Sequence, residues 1–168
     1  MNARIRDVME TDGPAIMVIF NHFVANSFAT YTDQEAGMEL FQRFRSNASV
    51  FLVLLVEEKP AGFGLIQPYL PFASCRRTGM LTYFILPEFT GKGYGSKILE
   101  MLIAAGKEKG ITNLVAHISS KNAQSLAFHR KHGFRECGRL KNVGIKFDQS
   151  FDVIWVQRPE DPLQKKSD

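Results

Sequence analysis

Cysteine is scarce in this chain and long apolar runs are missing, and both facts narrow what it can be. The two cysteines, Cys75 and Cys137, lie far apart with no CxxC or metal-ligand spacing. Unpaired core thiols are therefore expected, not a disulfide framework or a metal centre. The longest apolar stretch, Val50 to Val56, is about a third of the length a membrane span requires. Arg4, Arg6, Asp7, Glu10 and Asp12 break any signal-peptide pattern near the start, and a cytoplasmic location is expected. Charge of one sign is also in short supply, since 21 Lys and Arg against 17 Asp and Glu give a net +4. The longest basic runs, Arg76-Arg77 and Lys165-Lys166, make no stripe that would follow a nucleic-acid backbone, although a mild positive balance favours a small anionic ligand. Internal repeats are absent, as are linkers rich in Pro, Gly or Ser, so nothing divides the chain.

What is present is material for one core. A hydrophobic fraction of 45%, with 14 Phe, argues against disorder. A chain of 168 residues buries roughly 70% of its unfolded surface. Residues 1–158 read as one domain and 159–168, with its Pro, Asp, Lys and Ser, as a loose tail. Strands are expected at 4–8, 50–57, 61–67, 80–86, 113–118, 134–140 and 150–157, with a turn at Glu58-Lys59-Pro60. Helical spacing predicts a helix over 12–24, capped by Thr11 or Asp12. A second, over 33–46, has Thr32 and Glu35 as a capping box and buries Met38, Leu40, Phe41 and Phe44. Two more run over 94–109, closed by Gly110, and 122–132, ended by Gly133. Early strands in hairpin sequence followed by a strand–helix–strand unit predict an α/β (α+β) fold with a mixed sheet covered by helices.

The most informative segment joins a strand to a helix: Thr82-Tyr-Phe-Ile-Leu-Pro-Glu-Phe-Thr-Gly-Lys-Gly-Tyr-Gly-Ser96. Gly91, Gly93 and Gly95 allow positive φ and close backbone approach, so successive N–H groups can converge on one concavity. The helix N-terminus adds partial positive charge, and Lys92 adds a charge at the rim. Together they describe a phosphate site. The GxxxxGK[ST] spacing of a P-loop is absent, and Ser96 breaks the GxGxxG of a dinucleotide fold. A plain tight turn into a helix is the alternative reading.

Thr90-x-x-Gly93-x-Gly95 resembles the Q/R-x-x-G-x-G/A pyrophosphate loop of the GNAT-type N-acetyltransferase superfamily. Asn122-Ala-Gln-Ser125-Leu-Ala-Phe-His129-Arg-Lys-His-Gly133-Phe134 resembles its second signature, N-x-x-[SA] followed by a helix ending in G-F. A closer similarity, to the phosphinothricin acetyltransferase-like branch, is carried by Ile19-Phe-Asn-His-Phe-Val24 and by Ala29-Thr30 before an aromatic residue. Val143-Gly-Ile-Lys-Phe147 and Asp152-Val-Ile-Trp-Val-Gln157 extend it, so that it runs from about Ile5 to Gln157. The resemblance implies a GNAT-like single domain: a mostly antiparallel sheet of about six or seven strands flanked by about four helices. It also implies acetyl-CoA as co-substrate, no metal, a small amine such as an amino acid or its analogue as acceptor, and a homodimer.

The same resemblance distributes roles. Backbone groups of Phe84, Ile85 and Leu86 would meet the pantetheine arm, with an N–H near Ile85 polarising the carbonyl. Thr90, Gly91, Lys92, Gly93, Tyr94, Gly95 and Ser96 would hold the diphosphate, joined by Asn122, Ser125 and His129 of the second signature. Many relatives carry a Tyr at the His129 position to return a proton to the departing thiolate; His129 either does so or only lines the pocket. Met80 stands where the branch places a Glu base, and Thr90 where the family loop opens with Arg or Gln. With Met80 unable to accept a proton, His117 is the first candidate base, because Val115, His117 and Ser119 share a strand face. A hydrogen-bonded structural histidine and bulk water are the competing readings. Asn21, His22, Tyr31, Met80 and Arg76 fall on the acceptor side, with packing roles for Asn21 and His22 and a solvated charge at Arg76 or Arg77 as alternatives. His132 is expected only to support its helix end.

Arg76 is the only basic residue of segment 69–77 that matches the branch, so phosphinothricin itself is not the expected substrate. Two rival functions stand beside the small-amine reading. One is a non-catalytic coenzyme A-binding module, favoured by Met80 and Thr90. The other is an acetyltransferase of protein N-termini or lysines, against which Phe20, Phe23, Phe28, Tyr31, Tyr69 and Phe72 point to a smaller acceptor.

Overall fold

Runs of β-branched and aromatic residues decide where the strands lie. The computed structural model describes residues 2–159; the expected tail, apart from Pro159, lies outside the described residues. Seven strands, β1 (Ala3–Asp7), β2 (Val50–Val56), β3 (Lys59–Pro68), β4 (Thr78–Ile85), β5 (Asn113–Ser119), β6 (Arg135–Lys146) and β7 (Gln149–Arg158), form one sheet in the order β1-β2-β3-β4-β5-β7-β6. Every neighbouring pair is antiparallel except β4 with β5. Four α-helices cover it: α1 (Gly13–Asn26), α2 (Met38–Asn47), α3 (Tyr94–Glu108) and α4 (Ala123–Lys131).

Both faces of the sheet are buried at β2, which is why that strand reads as an unbroken apolar run. On one face Ile98, Leu99 and Leu102 of α3 pack with Leu52, Ile66 and Leu81. On the other, Ile16, Phe20 and Phe41 pack with Phe63, Leu65 and Phe84. The phenylalanine-rich second core locks its rings edge to face, Phe20 and Phe84 lying 5.6 Å apart at 84°.

One irregularity positions the site. β4 and β5 pair in parallel only where Thr78, Gly79 and Met80 meet Asn113, Leu114 and Val115. Beyond that point both strands continue without pairing, and a gap opens between them. The amide of Tyr69 donates to the Thr78 carbonyl at 3.2 Å and that of Leu86 to the Ala61 carbonyl at 2.9 Å. This alternation turns the even-numbered residues of β4 to β3, so the backbone groups of Tyr83 and Ile85 face the gap.

Several expectations need correction. α2 begins at Met38, not at residue 33. Thr32 Oγ1 instead accepts the Gln34 N–H at 3.0 Å, and the Asn21 side chain pairs with both the N–H and C=O of Ala36, so the chain stays irregular there. Met38 is exposed, while Phe41 is fully buried. The β2–β3 turn falls on Glu57 and Glu58, at φ 47° and 64°, and Pro60 lies within β3. β6 runs on to Lys146. Cys75 and Cys137 are unpaired, but one is half-buried and the other exposed, so neither is a core thiol.

Candidate active site

The glycine turn is shaped by conformation at two positions and by packing at the third. Gly91 and Gly93 adopt φ of 72° and 83°, and a Cβ at either would meet nothing within 4 Å. The space before the turn is open. Lys97 N–H donates to Gly93 O at 3.2 Å as the first bond of α3, so the amides of Tyr94, Gly95 and Ser96 have no partner within the helix. These N–H groups and the helix dipole fit a diphosphate. Gly95 differs: a Cβ there would lie 3.1 Å from the Phe128 ring, which packs α4 against the start of α3.

The second wall grows from Asn122. Its Oδ1 accepts the Ser125 N–H at 3.1 Å, capping α4, which explains the N-x-x-S spacing. Between the two walls lies a cleft of about 570 Å³, bordered by Ile85, Thr90, Gly91, Gly93, Asn122 and Ser125 among others. Lys121 and Lys131 border it as well and bring positive charge to an anionic ligand. A smaller cavity of about 250 Å³ lies in the gap between β4 and β5. Tyr83, Phe84, Asn122 and Ser125 border both spaces, so the two meet there.

Two histidine–tyrosine pairs flank the gap, one on each face of the sheet. Ala116 and Ile118 point into the α3-side core, which puts His117 on the opposite face. There its Nδ1 lies 2.8 Å from the Tyr31 hydroxyl, and its ring rests 5.2 Å from that of Trp155. His117 is exposed on its strand, yet partial desolvation at the wall of the gap lowers its pKa below the ordinary histidine value, and burial raises that of Tyr31. On the α3 face, His129 is 3% exposed. Its Nδ1 lies 2.8 Å from the Ser125 carbonyl, an acceptor, so the proton sits on Nδ1. The Tyr83 hydroxyl lies 3.2 Å from Nε2 and 3.3 Å from Nδ1, and with Nδ1 protonated it is Nε2 that accepts from it. Burial is the main cause that lowers the His129 pKa, the hydrogen bond to Ser125 opposing it, and burial raises that of Tyr83.

Comparison with known proteins agrees with this geometry. The profile of the acetyltransferase (GNAT) family matches residues 16–134, more than half of the chain. The chain belongs to the GNAT acetyltransferase family. It is 31% identical to an L-methionine sulfoximine/L-methionine sulfone acetyltransferase of Pseudomonas aeruginosa, over 98% of each chain. It is also 31% identical to the phosphinothricin N-acetyltransferase of Alcaligenes faecalis, over 92% of this chain and 81% of the relative. The crystal structure of a GNAT phosphinothricin acetyltransferase from Sinorhizobium meliloti in complex with acetyl-CoA superposes with a TM-score of 0.87 at 27% identity, covering 95% of this chain and 89% of that one. This GNAT member is thus an enzyme, an acetyl-CoA-dependent N-acetyltransferase.

Of the residues singled out in the sequence, Phe84, Ile85, Thr90, Gly91, Gly93, Gly95, Ser96, Asn122 and Ser125 border the larger cleft, and Tyr31, His117 and His129 border the smaller one. Other predicted residues lie elsewhere. Leu86 is tied to β3 through its amide. Lys92 turns to the Phe89 ring, 5.6 Å from its centroid. The Tyr94 side chain is buried in the α3 core, leaving its backbone for the ligand. Thr90, although it borders the cleft, spends its hydroxyl on the Pro87 carbonyl at 2.7 Å. Asn21 braces Ala36, and His22 packs its ring on Phe23. Arg76 is exposed and donates to the Ala73 carbonyl, and Met80 sits where β4 still pairs with both neighbours, short of the gap.

Two residues play parts that sequence reasoning misses. His132 does more than support a helix end: its Nδ1 donates to the Phe128 carbonyl at 2.9 Å and its Nε2 accepts from Ser96 Oγ at 2.9 Å, joining α4 to the glycine turn. The spacing Phe128-x-x-x-His132 was the available signal, since it stacks both on one helix face. Tyr83 carried no signal beyond its place on β4.

Proposed function

We propose that this enzyme acetylates the α-amino group of an amino acid or amino-acid analogue, with His117 as the base and Tyr83 and His129 on the side of the departing thiol. The gap between β4 and β5 carries this reading, because it is bordered by one neutral histidine on each face. The names of the relatives support the acceptor class. Bound acetyl-CoA supplies the thioester carbonyl that the amine attacks, a C–N bond replacing the C–S bond. Phe84, Ile85 and the amides of residues 91–96 border the cleft that would hold it.

His117 is able to take the amine proton on Nε2 in the tautomer whose Nδ1–H is donated to the Tyr31 oxygen. Tyr31 stays a phenol, since burial raises its pKa. The Ile85 N–H, turned into the gap, is placed to polarise a carbonyl. His129 is held neutral with its Nδ1–H committed, so its Nε2 takes the single O–H of Tyr83, and that O–H is proposed to turn from Nε2 to the leaving sulfur. No metal is assigned a part in this scheme. A homodimer is proposed as well, with a second copy along β6. That edge strand exposes Leu140, Val143 and Ile145, and the adjoining Phe147 is exposed too. The enzyme is proposed to work in the cytoplasm, without nucleic-acid or membrane partners.

The test is release of free thiol from acetyl-CoA with methionine sulfoximine, methionine sulfone, phosphinothricin, proteinogenic amino acids and polyamines. The expected result is turnover with the sulfone or sulfoximine and little with polyamines. Coenzyme A binding by calorimetry without thiol release from any amine would identify a non-catalytic module and overturn the proposal.

A further inference from the structure

Lys146 ends β6 and is only 2% exposed. Burying an ammonium is costly unless its donors are matched, and here all three N–H groups have acceptors. Nζ lies 2.7 Å from Ser27 O, 3.1 Å from Thr30 O and 3.0 Å from Thr30 Oγ1. All three acceptors are uncharged oxygens on one short segment, more than a hundred residues away in sequence. The Phe147 ring lies 4.9 Å from the ammonium. Burial lowers the Lys146 pKa, opposed by the charge of Asp33.

The segment it grips has no helix or strand of its own, since residues 27–37 run between α1 and α2 as bends and irregular backbone. Ala29 borders both the cleft and the cavity, Phe28 borders the cleft, and Thr30 and Tyr31 border the cavity. Tyr31 follows the gripped Thr30 directly and reaches His117. A backbone without secondary structure does not by itself hold a phenol at 2.8 Å from an imidazole on another element.

We propose that Lys146 is a positioning residue for the transfer reaction, acting through the Ser27–Thr30 backbone to set Tyr31 against His117. This rests on His117 and Tyr31 forming the acceptor side of the site. The ammonium does not touch the acceptor; its three N–H groups fix the wall that does.

Lys146→Met keeps the stem and removes the donors. The expected result is a fall of about 10- to 100-fold in kcat/KM for the acceptor, the loss that misplacement by about 1 Å produces. Coenzyme A affinity by calorimetry should change by less than about threefold. A double-mutant cycle with Tyr31→Phe separates positioning from general support. If Lys146 acts through Tyr31, the double variant is no worse than Lys146→Met alone. Additive losses, an acceptor kcat/KM near that of the parent, or an equal loss of coenzyme A binding would each overturn the proposal. Should Lys146→Met fail to fold, Thr30→Val removes one acceptor while leaving the lysine, and the same cycle is run with it, expecting a smaller but non-additive loss. His117→Gln keeps the two ideas apart. If that variant is fully active, the base assignment fails, whereas non-additivity between residues 146 and 31 still decides the role of Lys146.

Discussion

Tyr31 and His117 share a hydrogen bond of 2.8 Å across 86 positions of sequence, from an irregular loop to a central strand. The bond leaves a single imidazole nitrogen for an acceptor, and desolvation at the wall of the gap holds the pKa of the ring below the ordinary histidine value. The consequence for rate has a sign. Activity that needs neutral His117 is full above the histidine range and falls only as pH drops through a value below the ordinary 6.5. The acid limb of kcat/KM should therefore lie below pH 6.5. His117→Gln should remove that limb and lower kcat by about 10²-fold or more, the usual weight of general base catalysis. A limb unchanged in the variant assigns it to another group.

Two glycines of the turn should fail for different reasons. Gly93→Ala places a side chain at φ 83°, a strain of about 1–2 kcal/mol, and tilts amides at the start of α3. Coenzyme A affinity should weaken about tenfold, which corresponds to about 1.4 kcal/mol. Gly95→Val instead drives a branched side chain at the Phe128 ring, whose nearest atom would be 3.1 Å from the new Cβ. It should cost about 1–3 kcal/mol of stability through overpacking between α3 and α4, read as a lower midpoint in urea. Gly93→Ala should shift binding more than the midpoint, and Gly95→Val the reverse.

The glycine turn and the α4 cap were legible because both are local. Gly91 and Gly93 need their φ, and Asn122 reaches only to Ser125. Alternation on β5 was enough to send His117 away from Ala116 and Ile118. What escaped was non-local. Nothing near residue 31 announces His117, and nothing near residue 146 announces Thr30. The late start of α2 escaped for a related reason: Thr32 and Glu35 form a helix-start pattern, but Asn21, on another helix, takes the Ala36 backbone first. Arg76 matched a motif position, yet its loop carries it away from both spaces.

The outer edge of the sheet makes a separate prediction about assembly. Ile145 is 76% exposed on β6, beside exposed Val143 and Phe147. A single buried lysine on that surface would disfavour a dimer without touching the core. Ile145→Lys should convert a dimer to monomer in sedimentation, with the urea midpoint of the monomer little changed. An unchanged sedimentation coefficient moves the interface elsewhere or removes it.

Desolvation of the two site histidines, His129 in the interior and His117 on an exposed strand position, also sets the pH dependence of stability. Both His117 and His129 have pKa values lowered mainly by desolvation. In the unfolded chain each returns to about 6.5 and binds a proton as pH falls through it, while the folded protein still resists. The unfolded state then holds more protons, so stability present above pH 6.5 is lost as pH falls toward the depressed folded values. Urea midpoints at pH 7.5, 6.5 and 5.5 should decline in that order. His129→Gln keeps a hydrogen-bonding side chain beside Ser125 and Tyr83 but does not titrate, so it should flatten the decline without abolishing it, His117 supplying the rest. A slope identical to that of the parent would mean that His129 does not resist protonation, and with it would go the neutral Nδ1–H tautomer that fixes the Tyr83 hydroxyl.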